Sequence, residues 1–427
     1  MTRPMKDSGI EWVGDIPEKW NVIFAFQCFE QVKNKNIGME ENNLLSLSYG
    51  KIKRKSIDTA EGLLPDNFEN YNVIDKDDIV LRLTDLQNDH KSLRVGLAKE
   101  KGIITSAYTT LRNKSDSIPN YLYYYLHAFD ISKGFYGMGA GVRQGLNWEE
   151  LKHLLILSPK AQEQRRIVEF LNNQSELIES LIEKTQISIE EYKKLKQAII
   201  IQAVTKGVRG NRTMKESGIE WVGNIPESWE IHKLCWDYSA MLGKMLDAKR
   251  ITGTKMHPYI KNADVQWWNI NTENLDEMDF EDSEYERYIV NPGDLMICEG
   301  GEIGKCAIVP DDFPQDVYYQ KALHRVRSRN SDGNVKYLSY VLFSMANTDS
   351  FNSTHEKATI AHLPGDALSQ LRIPSPPTNE KTEIVNYLDQ KRIEIDTLIT
   401  KKEQFIAELE NYKKSMIYEY VTGKKEA

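Results

Sequence analysis

The chain has 427 residues, 40% of them hydrophobic and 28% charged; these proportions exclude a collagenous or disordered protein and fit two or three globular domains. No run approaches the roughly 18 apolar residues that a membrane-spanning helix needs, and no apolar signal core follows Met1. No membrane contact is therefore expected, and Cys28, Cys235, Cys298 and Cys306 lack zinc or disulfide spacing, which points to a reducing cytoplasm.

The first element is a short segment, MKDSGIEWVGDIPEKW at 5–20, that returns as MKESGIEWVGNIPESW at 214–229 with 13 of 16 positions identical. A variable region follows, about 21–145, in which the alternating run at 78–83 predicts a strand and the tyrosine-rich segment at 119–129 predicts a helix packed on the sheet. Then comes a second repeated unit. Ser158-Pro159 opens it, and large apolar residues recur from Ile178 through Ile189 to Ile199 at a spacing near 3.5, with Glu and Lys on the other faces. The spacing predicts a helix over 163–205, closed by Gly207. After the second short segment the order repeats: a variable region at about 230–362, with a strand at 294–298 and a helix at 336–343, then Ser375-Pro376 and a helix over 380–421 closed by Gly423. Each long helix would measure roughly 60 Å, more than a small domain can cover, so the two are expected to pair as an antiparallel coiled coil. The fold class expected is α+β: two mixed α/β domains, each followed by a long helix, in a pseudo-two-fold internal repeat. The expected divisions are 1–157, 158–208, 209–374 and 375–427.

Catalytic signatures are absent from the sequence. Gly301-Glu302-Ile303-Gly304-Lys305-Cys306 has two residues between its glycines where a phosphate loop has four, and Cys where a magnesium-binding Ser or Thr belongs. Gly137-Met138-Gly139-Ala140-Gly141 lacks the glycine spacing of a dinucleotide loop, so a turn is expected in both places. The eight histidines form no metal motif, His355 and His362 being the nearest pair, and no Asp/Asn-Pro-Pro-Tyr/Phe segment of adenine methylation occurs.

Two variable domains, each trailing into a long helix, resemble the specificity subunit of type I restriction–modification systems, and the resemblance covers essentially the whole chain. It rests on the doubled GIEWVG-x-IPE-x-W, on SPKAQEQRRI at 158–167, and on RLTDLQNDHKSLRVG at 82–96 with GIITSAY at 102–108. In the second half it rests on YIKNADVQWW at 259–268, GDLMICEGGEIGK at 293–305 and YQKALHRVR at 319–327. Asn379-Glu380-Lys381 departs from the family, which more often has Glu-Gln there.

The resemblance implies that each variable domain is a target recognition domain reading one part of a split site in double-stranded DNA. The helices would set the spacing and dock two methyltransferase subunits, with restriction/translocase subunits joining the assembly. The chain itself would be non-catalytic and bind no cofactor; S-adenosylmethionine, ATP and Mg would belong to the partners. The rival reading is a coiled-coil scaffold that assembles a DNA-modifying complex without reading bases. Side chains offering bidentate geometry to base edges are Arg82, Asp85, Gln87 and Asn88 in the first domain. Asn262, Gln266, Gln320, Lys321 and Arg325 offer it in the second.

Charge bears on the phosphate contacts. The net charge of −8 is unusual for a DNA binder. Across 44–114 there are 12 Lys/Arg against 10 Asp/Glu, net +2; across 262–330 there are 6 against 15, net −9. The acidic run from Glu273 to Glu286 is expected to face solvent or a partner, away from phosphate. Phosphate candidates are Tyr49, Lys51, Lys53, Arg54 and Lys55, and Lys249, Arg250 and Lys255, the latter flanked by Lys244 and Lys261.

Overall fold

The apolar runs at 78–83 and 294–298 become the second strands of two four-stranded antiparallel sheets with the same strand order. The computed structural model describes residues 3–56, 67–86, 89, 92–138, 145–245, 253–348, 350–351 and 362–427. The first sheet holds β1 (Phe29–Gln31), β2 (Ile79–Leu81), β3 (Val95–Leu97) and β4 (Thr109–Asn113), in the order β1-β4-β2-β3. The second holds β5 (Tyr238–Leu242), β6 (Leu295–Cys298), β7 (Cys306–Ile308) and β8 (Leu323–Ser328), in the order β5-β8-β6-β7.

Burial on both faces explains why the strands Ile79–Leu81 and Leu295–Cys298 are apolar throughout. Ile79 and Leu81 enter the core beneath helix α1 (Pro119–Ile131), while Val80 points into a second core with Leu45, Leu47 and Ile104. Likewise Leu295 and Ile297 face helix α3 (Val335–Ala346), and Met296 and Cys298 face the layer around Ile260 and Tyr319. Both tyrosine-rich helices are therefore core elements, as their composition predicts.

The long helices are α2 (Ala161–Lys206, 46 residues) and α4 (Thr378–Val421, 44 residues), about 69 and 66 Å at 1.5 Å per residue. The chain divides into two units, residues 1–186 with 403–427 and residues 187–402. These divisions cut across both helices rather than following the chain, because segments of α2 and α4 pair within each unit. In the first unit Phe170 stacks on Tyr420 at 4.3 Å and Glu179 meets Lys413 at 2.6 Å. In the second, Lys196 meets Asp396 at 2.6 Å and the Lys402 ammonium lies 5.6 Å from the Tyr192 ring centre. Residue numbers rise on one helix as they fall on the other, so the pairing is antiparallel.

The duplicated short segment does the same structural job in each unit, where it closes the C-terminal end of a long helix. The Arg3 guanidinium lies over Trp20 at 5.4 Å, donates to the Gly423 carbonyl at 2.6 Å and pairs with Glu163 at 2.7 Å. In the second unit Arg212 lies over Trp229 at 5.4 Å, donates to the Lys206 carbonyl at 2.8 Å and pairs with Glu380 at 2.6 Å. Tyr121 and Tyr337 send their hydroxyls to the carbonyls of Val421 and Val204, at 3.2 and 3.3 Å. The repeat thus extends to Arg3 and Arg212, beyond the identical core that starts at Met5 and Met214. Gly207 and Gly423 both sit at φ +74°, and a β-carbon there would lie 1.9 Å from Arg212 and 2.5 Å from Pro17. Only glycine serves in both respects.

The departure at Asn379-Glu380-Lys381 keeps the same anchoring role with different chemistry. Buried Gln164 accepts from the Ile118 amide at 2.8 Å and donates to the Pro159 carbonyl at 2.9 Å, tying the start of α2 to the turn before α1. In the second unit Lys381 makes that tie with a single donor, to the Asp332 carbonyl at 2.7 Å. Burial pushes its ammonium pKa down.

Candidate nucleic-acid interface

The two sheets differ most where the chain passes from the second strand to the third. In the first unit this connection runs from Arg82 to Arg94; in the second it runs only from Glu299 to Lys305. Each ends on a buried cation immediately before the third strand. Arg94 is 0% exposed, and all five of its guanidinium hydrogens are used. It donates to the carbonyls of Arg82 (3.0 Å), Thr84 (2.8 Å), Asp85 (3.2 Å) and Asp89 (2.6 Å), and to the Tyr136 hydroxyl (3.2 Å). Tyr136 donates its own hydroxyl proton to the Asp89 carbonyl at 3.0 Å. The Arg94 amide donates to Asp130 at 2.6 Å. Burial pushes the Asp130 carboxyl up to about 6 against the opposing pull of Arg94 and Lys133. Asp85 adopts φ +57°, a left-handed conformation that Asp tolerates better than most residues.

Beside this loop stands a two-stranded hairpin, Leu45–Ser48 with Lys51–Arg54. Its turn residues Tyr49 and Gly50 both have positive φ, the geometry of a tight two-residue turn. Tyr49 is 73% exposed, and a β-carbon on Gly50 would lie 3.0 Å from that of Leu93. Hairpin tip and loop therefore share one end of the first unit.

In the second unit the corresponding end gathers four segments. Glu299 donates its amide to Ala322 at 3.0 Å, Gln320 to Ile260 at 3.0 Å and Leu363 to Glu299 at 2.7 Å. Asn262 donates its side-chain amide to the Gly300 carbonyl at 3.0 Å. Lys305 turns inward to Gln266 (3.4 Å) and Glu302 (3.2 Å). Glu299 is buried and meets His362 at 3.1 Å. The glycine-rich run is therefore a turn, with Gly301 and Gly304 at positive φ, and its lysine is engaged by its own neighbours.

The candidates are distributed unevenly. Arg82, partly exposed, lies 3.6 Å from Asp89. Asn262, Gln266, Gln320 and Lys321 come together at the end of the second unit, with Lys321 exposed beside Met245. Arg325 is buried in β8, over the Tyr319 ring at 5.4 Å, and donates to the Ile289 carbonyl. Burial lowers its pKa, and its fork points into the protein. Gln87, Asn88, Lys249 and Arg250, with Gly139, Ala140, Gly141 and His355, lie outside the described residues.

Cations are arranged differently in the two units. Lys53 and Lys55 are exposed and make no ion pair among the described residues. Arg54 pairs with Glu100, and Lys51 with Glu179 at 2.8 Å. In the second unit the acidic run does not simply face solvent. Asp276 takes Lys261, Glu281 and Asp282 each take Lys255 at 3.1 Å, and Glu284 takes Lys244. Part of the reason is local: Met256–Ile260 pairs antiparallel with Asp276–Asp279, which brings Lys255 and Lys261, at the two ends of the first strand, beside carboxylates in and just after the second.

The family model for the type I restriction modification DNA specificity domain matches twice, at residues 17–191 and 242–411. The chain belongs to that family. A specificity-domain relative, a putative type I restriction enzyme specificity subunit of Methanocaldococcus jannaschii, is 27% identical over 234 residues. That match takes in 52% of this chain and 53% of the relative, so the chain spans about half the length of the curated relative it matches. Among solved structures, a chain from a study of complex assembly and conformational transition in a type I R-M system superposes with TM-score 0.71 at 16% identity, over 96% of this chain and 99% of that one. The HsdS subunit from Thermoanaerobacter tengcongensis gives TM-score 0.53 at 15% identity, over 96% and 98%. These likenesses show the specificity-subunit fold.

Sequence reasoning passes over the residues that hold the specificity-domain loops in place. Arg94 lies inside RLTDLQNDHKSLRVG without being among the base-reading candidates, and Lys305 draws notice only as a phosphate-loop lysine. The available signal is positional: a single cation directly before an apolar strand, once as RVGLA and once as KCAIV. Among the described residues no group of His, Cys, Asp and Glu is arranged to hold a metal ion, and no helix is long and apolar enough to cross a membrane.

Proposed function

We propose that this chain is the sequence-specific DNA-recognition subunit of a type I restriction–modification complex, each unit reading one part of a split site. The observation that carries the reading is the double match of the DNA specificity domain, once over each variable region. Each match contains a loop cluster at the same end of the same sheet, and the two clusters differ in length and side chains. A scaffold that read no bases would have no use for two different loop clusters on one duplicated frame.

In the first unit the loop from Arg82, with Asp85, Gln87 and Asn88, meets base edges, and Tyr49, Lys53 and Lys55 meet the backbone. In the second, Gln266, Gln320 and Lys321 read, while Asn262 and Arg325 hold the loops from within. The helices α2 and α4 set the gap between half-sites and dock two methyltransferase subunits, to which restriction/translocase subunits add. Methyl transfer from S-adenosylmethionine and ATP- and Mg-dependent steps belong to those partners. Phosphate neutralisation by this acidic chain is modest, so the partners supply much of the affinity.

The test is selection from random duplexes by the full chain reconstituted with type I methyltransferase subunits. Two defined blocks separated by a fixed number of unspecified pairs are expected, with no methyl transfer by the chain alone. Recovery of unselected sequence sinks the reading.

A further inference from the structure

Resting on that reading, we propose that Arg94 is a positioning residue for sequence recognition: buried beneath residues 82–86 and 89, it fixes backbone from which the first unit reads bases. Arg94 can touch no DNA, since it has no exposed surface. Its guanidinium instead gathers four loop carbonyls, at residues 82, 84, 85 and 89. Fixing irregular backbone in one conformation costs conformational entropy. One planar fork that satisfies four carbonyls offsets that cost with charge-assisted hydrogen bonds, the stronger class of hydrogen bond. Base reading needs side chains such as Arg82 held to a fraction of an ångström, and a loop is a poor platform for this unless a second layer locks it.

Three features make the lock specific to the loop. The fork is stacked on Tyr136, whose ring lies 5.1 Å from the guanidinium carbon and whose hydroxyl closes the ring of contacts at Asp89. The Arg94 amide is anchored to Asp130 on α1, so the fork is referenced to the sheet and helix rather than to the loop itself. The equivalent position in the second unit also carries a buried cation, Lys305, and it too holds a reading side chain, Gln266, from behind. A lysine suffices there because that connection is only seven residues long, 299–305, and already bonded to Ala322 and Leu363.

The test compares matched and mismatched duplexes for each block of the selected site, using the full chain with its methyltransferase subunits. The ratio of the two affinities is independent of the fraction of protein that is folded. Arg94→Lys, which keeps the charge but loses the fork, should cut discrimination at one block by about 10-fold or more, within the 1–3 kcal/mol carried by a base contact. Tyr136→Phe, which keeps the ring and removes one hydroxyl, should cut it severalfold at that same block. The other block should stay within about twofold. Wild-type discrimination at both blocks in both variants overturns the inference, as does an equal loss at both blocks. A wild-type complex that shows no selected blocks at all overturns the underlying reading instead, which separates the two failures.

Discussion

The two units share a frame and differ in what the frame carries. Trp20 and Trp229, Tyr121 and Tyr337, Arg3 and Arg212, and Gly423 and Gly207 occupy matching places and make matching contacts. The loops after the second strands share neither length nor composition, and among the described residues two exposed lysines, Lys53 and Lys55, stay unpaired in the first unit while Lys244, Lys255 and Lys261 are paired in the second. The contrast amounts to a division of labour within one chain. Contacts that close the helices onto the sheets admit little change, because a glycine with positive φ, a tryptophan beneath an arginine and a buried carboxylate leave no room for substitutes. Loops at the sheet end take no part in those helix closures and can diverge.

The largest expected difference between the units lies in a matched ion pair. Glu380 is 1% exposed where it meets Arg212; its counterpart Glu163 is 23% exposed where it meets Arg3. Removing one partner of a buried pair leaves the other without compensation and costs about 3 kcal/mol or more, whereas a part-exposed pair costs about 1 kcal/mol. Glu380→Gln should therefore lower the unfolding midpoint of the second unit well beyond what Glu163→Gln does to the first. Chemical denaturation followed by a tryptophan probe in each unit reads this out. Equal losses would show that burial does not distinguish the two pairs.

What is legible in the sequence follows the same division. The sheets, tyrosine-rich helices and paired long helices can be read because each depends on periodicity, and periodicity survives in a single sequence. The ends of the long helices, 163–205 and 380–421 as predicted, fall within a few residues of Ala161–Lys206 and Thr378–Val421. Arg3 and Arg212 are not legible as part of the repeat, since different residues follow them, Pro4 and Thr213. Loop-holding residues are not legible either. Nothing near Arg94 in the chain signals that its fork turns back onto carbonyls up to 12 residues away. Arg325 shows the converse: in the sequence it is one arginine in a basic run, and only the sheet reveals that β8 turns it inward.

A middling effect should separate the cations. Each phosphate neutralised contributes about 0.9 to the slope of log affinity against log salt. Lys53→Gln with Lys55→Gln should reduce that slope by up to about 1.8, because both side chains are exposed and unpaired among the described residues. Lys255→Gln should leave it almost unchanged, since Glu281 and Asp282 already hold that ammonium. Glu281→Gln with Asp282→Asn should release Lys255 and steepen the slope. Salt titrations of duplex binding by the reconstituted complex decide it; a Lys255 variant that matches the Lys53/Lys55 pair would mean the acidic strand gives way to DNA.

The smallest effect concerns the layer where the helices pair. In the first unit Glu179 receives two lysines, Lys413 at 2.6 Å and Lys51 at 2.8 Å; in the second, among the described residues, Asp396 receives Lys196 alone, also at 2.6 Å. Burial pushes the Glu179 carboxyl up, but the hydrogen bonds from the two lysines outweigh it and hold the group at about 2. A carboxyl depressed below its ordinary value of 4.5 stabilises the fold above that pH and loses the contribution as pH falls toward 2. Glu179 is 44% exposed, so water and salt screen the pair and the contribution is below about 1 kcal/mol. Glu179→Gln should therefore destabilise the first unit slightly more at pH 7 than Asp396→Asn destabilises the second. The Glu179→Gln deficit should shrink from pH 4.5 downward and largely vanish in 1 M salt, where charges are screened within about 3 Å. Because the same carboxylate pairs with Lys51, Glu179→Gln should also free a cation next to the Tyr49 turn and steepen the salt dependence of duplex binding. A deficit that persists unchanged as pH falls from 4.5 toward 2 would show that Glu179 acts through packing rather than through charge.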